Sequence, residues 1–306
     1  MRYHGPVIAA SHKVAGLGEM LWDLIPGQKH LGGAPCNFAF IASLLGDQAI
    51  IASRLGLDPL GREAALRSQQ LGLDTQYLQF DEHHPTGTVE VNLDPAGQAS
   101  YDIAENPAWD HLQWTAGWRE LAASADAVCY GSLAQRSPQS RATIAEFLQA
   151  TKPDCLRIFD VNLRTPHYSA EVLQESLRMA TVLKMNQAEL PEVMGLLGLT
   201  APGEVPAARK LRQTFNLQAV CITRGARGSL LVTREELSEH RGIAAALVDT
   251  VGSGDAFTAA MTHYLLRKAP PAAVNEAANR WGSWVASCAG ATPRPTGDEL
   301  AELLRI

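Results

Sequence analysis

The stretch LVDTVGSGDAFTAAMTHYLL, residues 247–266, carries the densest chemical signal in the chain. Gly252, Ser253 and Gly254 stand directly before Asp255, and apolar residues then recur every three to four positions, as on a helix. A Gly-Ser-Gly turn at a helix start aims several backbone N–H groups at one point, and the helix dipole adds to their attraction for an anion. A carboxylate beside such a nest repels an anion unless a hydroxyl lies between them. Asp255 can then accept the hydroxyl proton while the amides hold charge on the group being transferred. Taken alone, the same residues also make a glycine-rich turn with an acidic first-turn residue, which the dipole favours.

Four other segments carry clustered polar groups. In KMNQAELPE, Asn186 and Glu189 have the spacing of a helix cap, and Glu189 equally suits holding a hydrated Mg²⁺ near phosphates. GGAPCN presents Asn37 at a helix start after a glycine turn, either as a cap or as a partner for a polar ligand. FDVNLR places Asp160, Asn162 and Arg164 at the end of one strand, more polar groups than a turn requires. TRGARGS sets Arg224 between Thr223 and Gly225, as a hairpin turn or as an arm over phosphates.

These residues must be held by something, and the chain alternates strands with helices. Buried apolar runs are expected at 14–17 and at AIIASRLG, DAVCYGS, CLRIFDVN, TVLKMN, QAVCITRG, GSLLVTR and IAAALVD, with helical patterns between many of them. That rhythm predicts an α/β fold built on a doubly wound, mostly parallel sheet. Ligands in such sheets lie beyond the carboxyl ends of the strands, where Asp160, Asn162, Asn186, Thr223 and Asp249 fall. Residues 86–103 behave differently: TGTVEVNLD and QASYDIAE alternate apolar and polar around a PAG turn, an antiparallel hairpin with one wet face. LWDLIPGQKH, turned at Pro26 and Gly27, is a second hairpin that can join it. The expected division is a large α/β unit of residues 1–19, 32–84 and 107–306, and a small, discontinuous β unit of residues 20–31 and 85–106.

Bulk properties exclude several classes. The 306 residues are 46% hydrophobic and carry a net charge of −6 with no basic block, so nucleic-acid binding by counterion release is not expected. No apolar run reaches the roughly 18 residues of a membrane span, and the N-terminus lacks a leader-like apolar core, so a cytoplasmic protein with no membrane partner is expected. Cys36, Cys129, Cys155, Cys221 and Cys288 are far apart in sequence and read as reduced, mostly buried thiols. His83 and His84 sit on a polar loop and read as surface residues. There is no G-x-x-x-x-G-K-[ST]. Gly16 and Gly18 lack the third small residue, since Leu21 stands there, so the dinucleotide fingerprint of an oxidoreductase is missing.

Taken together, GGAPCNFA, NQAE and DTVGSGDAF resemble, in order and spacing, the signatures of the PfkB, or ribokinase-like, carbohydrate kinases, and the resemblance spans nearly the whole chain. GLGEMLWDLIP, PTGTVEVNLDPAGQASYDIAENPAWD and FDVNLRTPHY resemble the fructokinase branch. Ser253 departs from the alanine usual in that family's G-A-G-D, but serine keeps the backbone N–H. The resemblance implies a ribokinase-like three-layer fold with a small β-sheet lid, and ATP-dependent phosphorylation of a small sugar, D-fructose to fructose 6-phosphate. Asp255 would be the base, with Gly252, Ser253 and Gly254 holding charge on the moving phosphoryl group. Glu19, Asp23, Gly33, Asn37 and Arg164 would bind the sugar. Asn186, Thr223, Arg224, Gly225 and Asn279 would line the nucleotide, and Glu189 would hold Mg²⁺ through water. Asp249 and Thr250 are candidates for a monovalent-cation site, K⁺ as in relatives, and a homodimer through the lid is expected. The rival readings are a 2-keto-3-deoxygluconate kinase, a ribose or nucleoside kinase, and a non-catalytic sugar- or nucleotide-binding protein on the same fold.

Overall fold

The computed structural model describes residues 11–25, 27–93 and 99–305. Strand β1 (Lys13–Leu17) leads into the hairpin of β2 (Leu21–Ile25) and β3 (Gln28–Gly32), and then into helix α1 (Ala34–Leu44). The run AIIASRLG is two strands, β4 (Gln48–Ala52) and β5 (Arg54–Gly56). The break at Ser53 lets β5 leave the main sheet and pair with β6 (Gln79–Asp81), a strand too short to announce itself in sequence. Between them, α2 (Pro59–Gln70) starts at Asp58, whose carboxylate accepts from the Gly61 N–H. Strands β7 (Gly87–Leu93) and β8 (Ala99–Ile103) form the alternating hairpin. The turns expected at Pro26 and at 95–97 lie outside the described residues.

The regular α/β rhythm then runs α3 (Ala116–Ser124), β9 (Ala127–Tyr130), α4 (Pro138–Gln149), β10 (Leu156–Asp160), α5 (Ala170–Met179), β11 (Val182–Asn186), α6 (Glu189–Leu196), α7 (Glu204–Thr214) and β12 (Ala219–Thr223). β13 (Ser229–Thr233) and β14 (Leu237–His240) follow, then α8 (Ser253–Leu266), α9 (Pro271–Ala286) and α10 (Gly297–Leu303). The expected strand at IAAALVD is absent. That segment lies against α9 instead, with Val248 N–H donating to Ala286 O and the Ser283 hydroxyl to Ile243 O, and β14 takes the sheet edge beside β13. Leu247 is left 70% exposed.

The main sheet has eight strands in the order β14-β13-β12-β11-β10-β9-β1-β4; the six from β12 to β4 in that order are mutually parallel, β13 runs antiparallel to β12, and β14 antiparallel to β13. Alternate strand residues serve two separate cores. Val14, Ile158 and Cys221 pack toward α1, α8 and α9, whereas Ala15, Val128, Leu183 and Val220 pack toward α3 through α7. Burial on both faces explains why these strands read as continuous apolar runs. From β1 the chain winds to β4 on one side, then returns to β9 on the other. Such a reversal opens a crevice at the carboxyl ends of the two central strands. Gly16 sits there for a steric reason: a Cβ on it would overlap the Pro35 carbonyl at the start of α1.

The two hairpins join into one smaller sheet, β3-β2-β7-β8, through a parallel β2–β7 pairing. The segment leading into it is pinned by Asp81, which accepts from the His83 and His84 N–H groups at 2.8 and 3.0 Å and pairs with Arg54 at 3.0 Å. His84 is therefore not the surface residue expected. Asp81 Oδ2 draws in its Nδ1 at 3.0 Å and the ring stacks on His111 at 3.5 Å, while His83 stays exposed. Cys36, Cys129, Cys155 and Cys221 are buried free thiols and Cys288 is half-buried. Among the described residues no helix is long and apolar enough to cross a membrane.

Candidate active site

Asp255 stands in the first turn of α8, which begins at the crevice. Gly252 precedes the helix with φ of 77°, and a side chain there would run into Ala291, so glycine is required twice over. The helical ladder starts with the Ala256 N–H donating to Gly252 O at 2.9 Å; the Ser253 N–H turns back to Thr250 O at 3.2 Å, leaving those of Gly254 and Asp255 at the open helix end. The Ser253 hydroxyl donates to Thr250 O at 2.8 Å, so serine tightens the turn where alanine would make no such bond. Asn37, in the first turn of α1, donates its amide N–H to Asp255 Oδ2 at 2.8 Å. Asp255 is half-buried. Desolvation by the surrounding protein, then the nearby Asp160 charge, raises its pKa to about 6, against the lowering pull of Asn37, Lys184 and Arg164.

Of the residues expected at a sugar, Asn37, Glu19 and Arg164 act on that carboxylate directly. Glu19 follows the carboxyl end of β1 and is only 2% exposed. Burial, reinforced by the Asp255 charge, pushes its pKa up to about 7. Its Oε2 and the Oδ1 of Asn37 are buried and have no hydrogen-bond partner. Two orphaned acceptors beside one carboxylate are a strong mark of a missing polar ligand. Asp23 comes from β2 of the smaller sheet, and desolvation lifts its pKa to about 6. Its carboxylate lies against Gly32, and Gly33, with φ of 101°, lets the start of α1 approach the Glu19 backbone. Arg164 is exposed on the loop after β10 and acts electrostatically on Glu19, Asp23 and Asp255 together.

On the other side of Asp255, Asn186 and Glu189 form a reciprocal cap. Glu189 N–H donates to Asn186 Oδ1 at 2.9 Å, and Asn186 N–H donates to Glu189 Oε2 at 2.8 Å. Glu189 Oε1 accepts from Leu163 N–H at 2.8 Å, so this one carboxylate ties the loop after β10 to the end of β11. Thr223 is the register partner of Asn186. Arg224 is placed elsewhere: its guanidinium is engaged by Glu204 and Glu239, at 2.6 and 3.0 Å. Gly225, with φ of 59°, opens a short turn from which Arg227 reaches Gln187 beside the Asn186–Glu189 cap. Asn279 is buried in a network with Ser229 and Asn275 that joins α9 to β13. Asp249 bridges two loops, accepting from Val251 N–H at 3.0 Å and Gly290 N–H at 3.1 Å, with Thr250 exposed beside it.

Sequence reasoning left out Lys184. It is buried in β11, and its ammonium donates to both carboxylate oxygens of Asp160 at 3.0 and 2.9 Å. A lysine inside a parallel strand must find a partner; that signal was available in TVLKMN. A narrow cavity lined by Pro35, Cys129, Tyr130, Asp160, Asp255 and Thr258 reaches the Asp160 member of this pair. A larger one, of about 200 Å³, lies between β3 and residues 289–292 and touches none of the site carboxylates.

Residues 18–297 match the sequence pattern of the pfkB family of carbohydrate kinases. A Pyrococcus horikoshii protein described as an uncharacterized sugar kinase is 28% identical over 275 residues, covering 83% of each chain. Its structure in complex with ATP superposes with a TM-score of 0.77 over 95% of this chain and all of that one. The fructokinase of Salmonella typhimurium is 27% identical over 278 residues, covering 85% of this chain and 86% of its own. A Vibrio cholerae fructokinase, solved with fructose, ADP and a calcium ion, is 25% identical with a TM-score of 0.77, over 96% of this chain and 99% of that one. With its carboxylate at a glycine-turned helix start and its mostly parallel eight-stranded sheet, the chain belongs to the pfkB family and is a carbohydrate kinase.

Proposed function

We propose that this kinase transfers the γ-phosphoryl group of ATP to a primary hydroxyl of a neutral sugar, D-fructose giving fructose 6-phosphate. The observation that carries this reading is the trio of Asp255, Glu19 Oε2 and Asn37 Oδ1: one base and two buried acceptors without partners. A polyol brings the donors that those acceptors lack. Asp255 takes the proton of the attacking hydroxyl, and the amides at the start of α8 stabilise charge on the phosphoryl group in flight. Asn37 keeps the carboxylate aimed, and Arg164 offsets negative charge as the substrates meet. The smaller sheet contributes Asp23, so its approach to the main sheet completes the sugar contacts and excludes water that would otherwise accept the phosphoryl group.

The Glu189 carboxylate, fixed by two backbone donors, retains acceptor capacity suited to metal-bound water rather than to direct ligation. Mg²⁺ there, held by ATP phosphates and such waters, would neutralise phosphate charge. The Asp249 bridge between residues 251 and 290 is the corresponding place for a monovalent cation.

Three carboxylates, Glu19, Asp23 and Asp255, face one guanidinium around the sugar position. That charge balance disfavours a sugar acid and favours fructose over 2-keto-3-deoxygluconate. A coupled ADP-release assay across fructose, ribose, nucleosides and 2-keto-3-deoxygluconate tests it. Fructose should give the highest kcat/KM. A tenfold preference for the sugar acid overturns the substrate, and no release with any of them favours a binding protein.

A further inference from the structure

We propose that Lys184 and Asp160 form a charge pair whose function is to set the protonation of Asp255, the ammonium favouring the ionised base and the carboxylate opposing it. This rests on the reading of Asp255 as the base.

The two residues are register partners on adjacent strands, Asp160 closing β10 and Lys184 facing it from β11. Their side chains are 6% and 8% exposed. The Thr258 hydroxyl of α8 lies 2.9 Å from both Asp160 Oδ2 and Gly254 O, so the pair is tied directly to the turn of helix that carries Asp255. Lys184 Nζ lies 3.1 Å from where a Cβ on Gly254 would stand. The glycine before the base is therefore also the space into which the ammonium fits. For Lys184, burial alone would lower the pKa, yet Asp160, with Glu189 and Asp255, overrides that and raises it, so the ammonium stays charged.

Every other group facing Asp255 leaves the pair in control of local charge. From α1, Asn37 is neutral and Cys36 is a thiol pushed up to about 12. From β9, Cys129 is likewise a neutral thiol, held well above its ordinary value by burial and by Asp160. Glu19 after β1, its pKa pushed up to about 7, is largely protonated near pH 6, and Arg164 after β10 is exposed and screened by solvent. Near pH 6, Lys184 and Asp160 are thus the buried charged members of this set, and each acts on Asp255 with its own sign.

Single substitutions should thus move the acid limb of the kcat/KM profile, near pH 6 in the parent, in opposite directions. Lys184→Met leaves Asp160 uncompensated and should move the limb up by about one pH unit. Asp160→Asn leaves the ammonium unopposed and should move it down by about the same. The double variant should return within about half a unit of the parent, because the two effects cancel. A merely structural pair would lower activity or melting temperature without opposed shifts. Limbs that do not move, or that move together, overturn the proposal. If Lys184→Met does not fold, Asp160→Asn decides alone, and a limb that stays or rises is fatal. Undiminished turnover in Asp255→Asn would remove the base itself. An inactive Asp255→Asn with unmoved limbs in the pair variants would remove only the role of the pair.

Discussion

Glu19 keeps a carboxyl group where water cannot reach it, and one oxygen has no partner. Burial raises its pKa to about 7 from an ordinary 4.5. The folded protein therefore binds this proton more tightly than the unfolded chain does. The stabilisation is fully present below about pH 4.5 and is lost as pH rises through about 7. Glu19→Gln should consequently raise stability at pH 8 by on the order of 2 kcal/mol and change little at pH 5. It should also raise the sugar KM, since glutamine offers a weaker acceptor. Thermal melts at the two pH values check this, and a variant less stable at pH 8 would contradict it. At this scale the local motifs were legible. The turn before Asp255 and the reciprocal bonds of Asn186 and Glu189 lie within a few residues of one another, so spacing alone exposes them. Contacts between distant segments were not. The Asn37–Asp255 bond spans 218 positions, and Arg224 is drawn aside by Glu204 and Glu239, which no local pattern announces.

The elements position the site through close backbone approaches. α1 rests on β1 so tightly that Gly16 has no room for a methyl group against Pro35, and this contact sets where Asn37 stands. Gly16→Ala should cost about 3 kcal/mol, because backbone rather than a flexible side chain must move. Gly195→Ala, in α6 with open space around it, should instead stabilise by about 0.5 kcal/mol through helix propensity. Urea unfolding of both variants tests the pair of signs, and equal effects would mean that α1 is not held as described. Continuous apolar runs made the parallel strands readable, because both faces are buried. The same logic misassigned IAAALVD, an apolar run that lies along α9 rather than in the sheet. The break at Ser53 was hidden because the residues on both sides of it are equally buried.

Across the whole molecule, groups from five parts of the chain meet at one point: Glu19 after β1, Asn37 in α1, Asp160 in β10, Lys184 in β11 and Asp255 in α8. The winding reversal between β1 and β9 places that point at the carboxyl ends of the central strands. The smaller sheet adds Asp23 from one side. Positioning and charge are most of what phosphoryl transfer requires, and this convergence supplies both. The proton-accepting role proposed for Asp255 is the part on which the rest depends. Single-turnover phosphoryl transfer by Asp255→Asn, alongside titration of its nucleotide binding, tests that role directly. The predicted result is a rate lower by at least about 10³-fold with nucleotide affinity retained. Transfer at the parent rate would contradict the account.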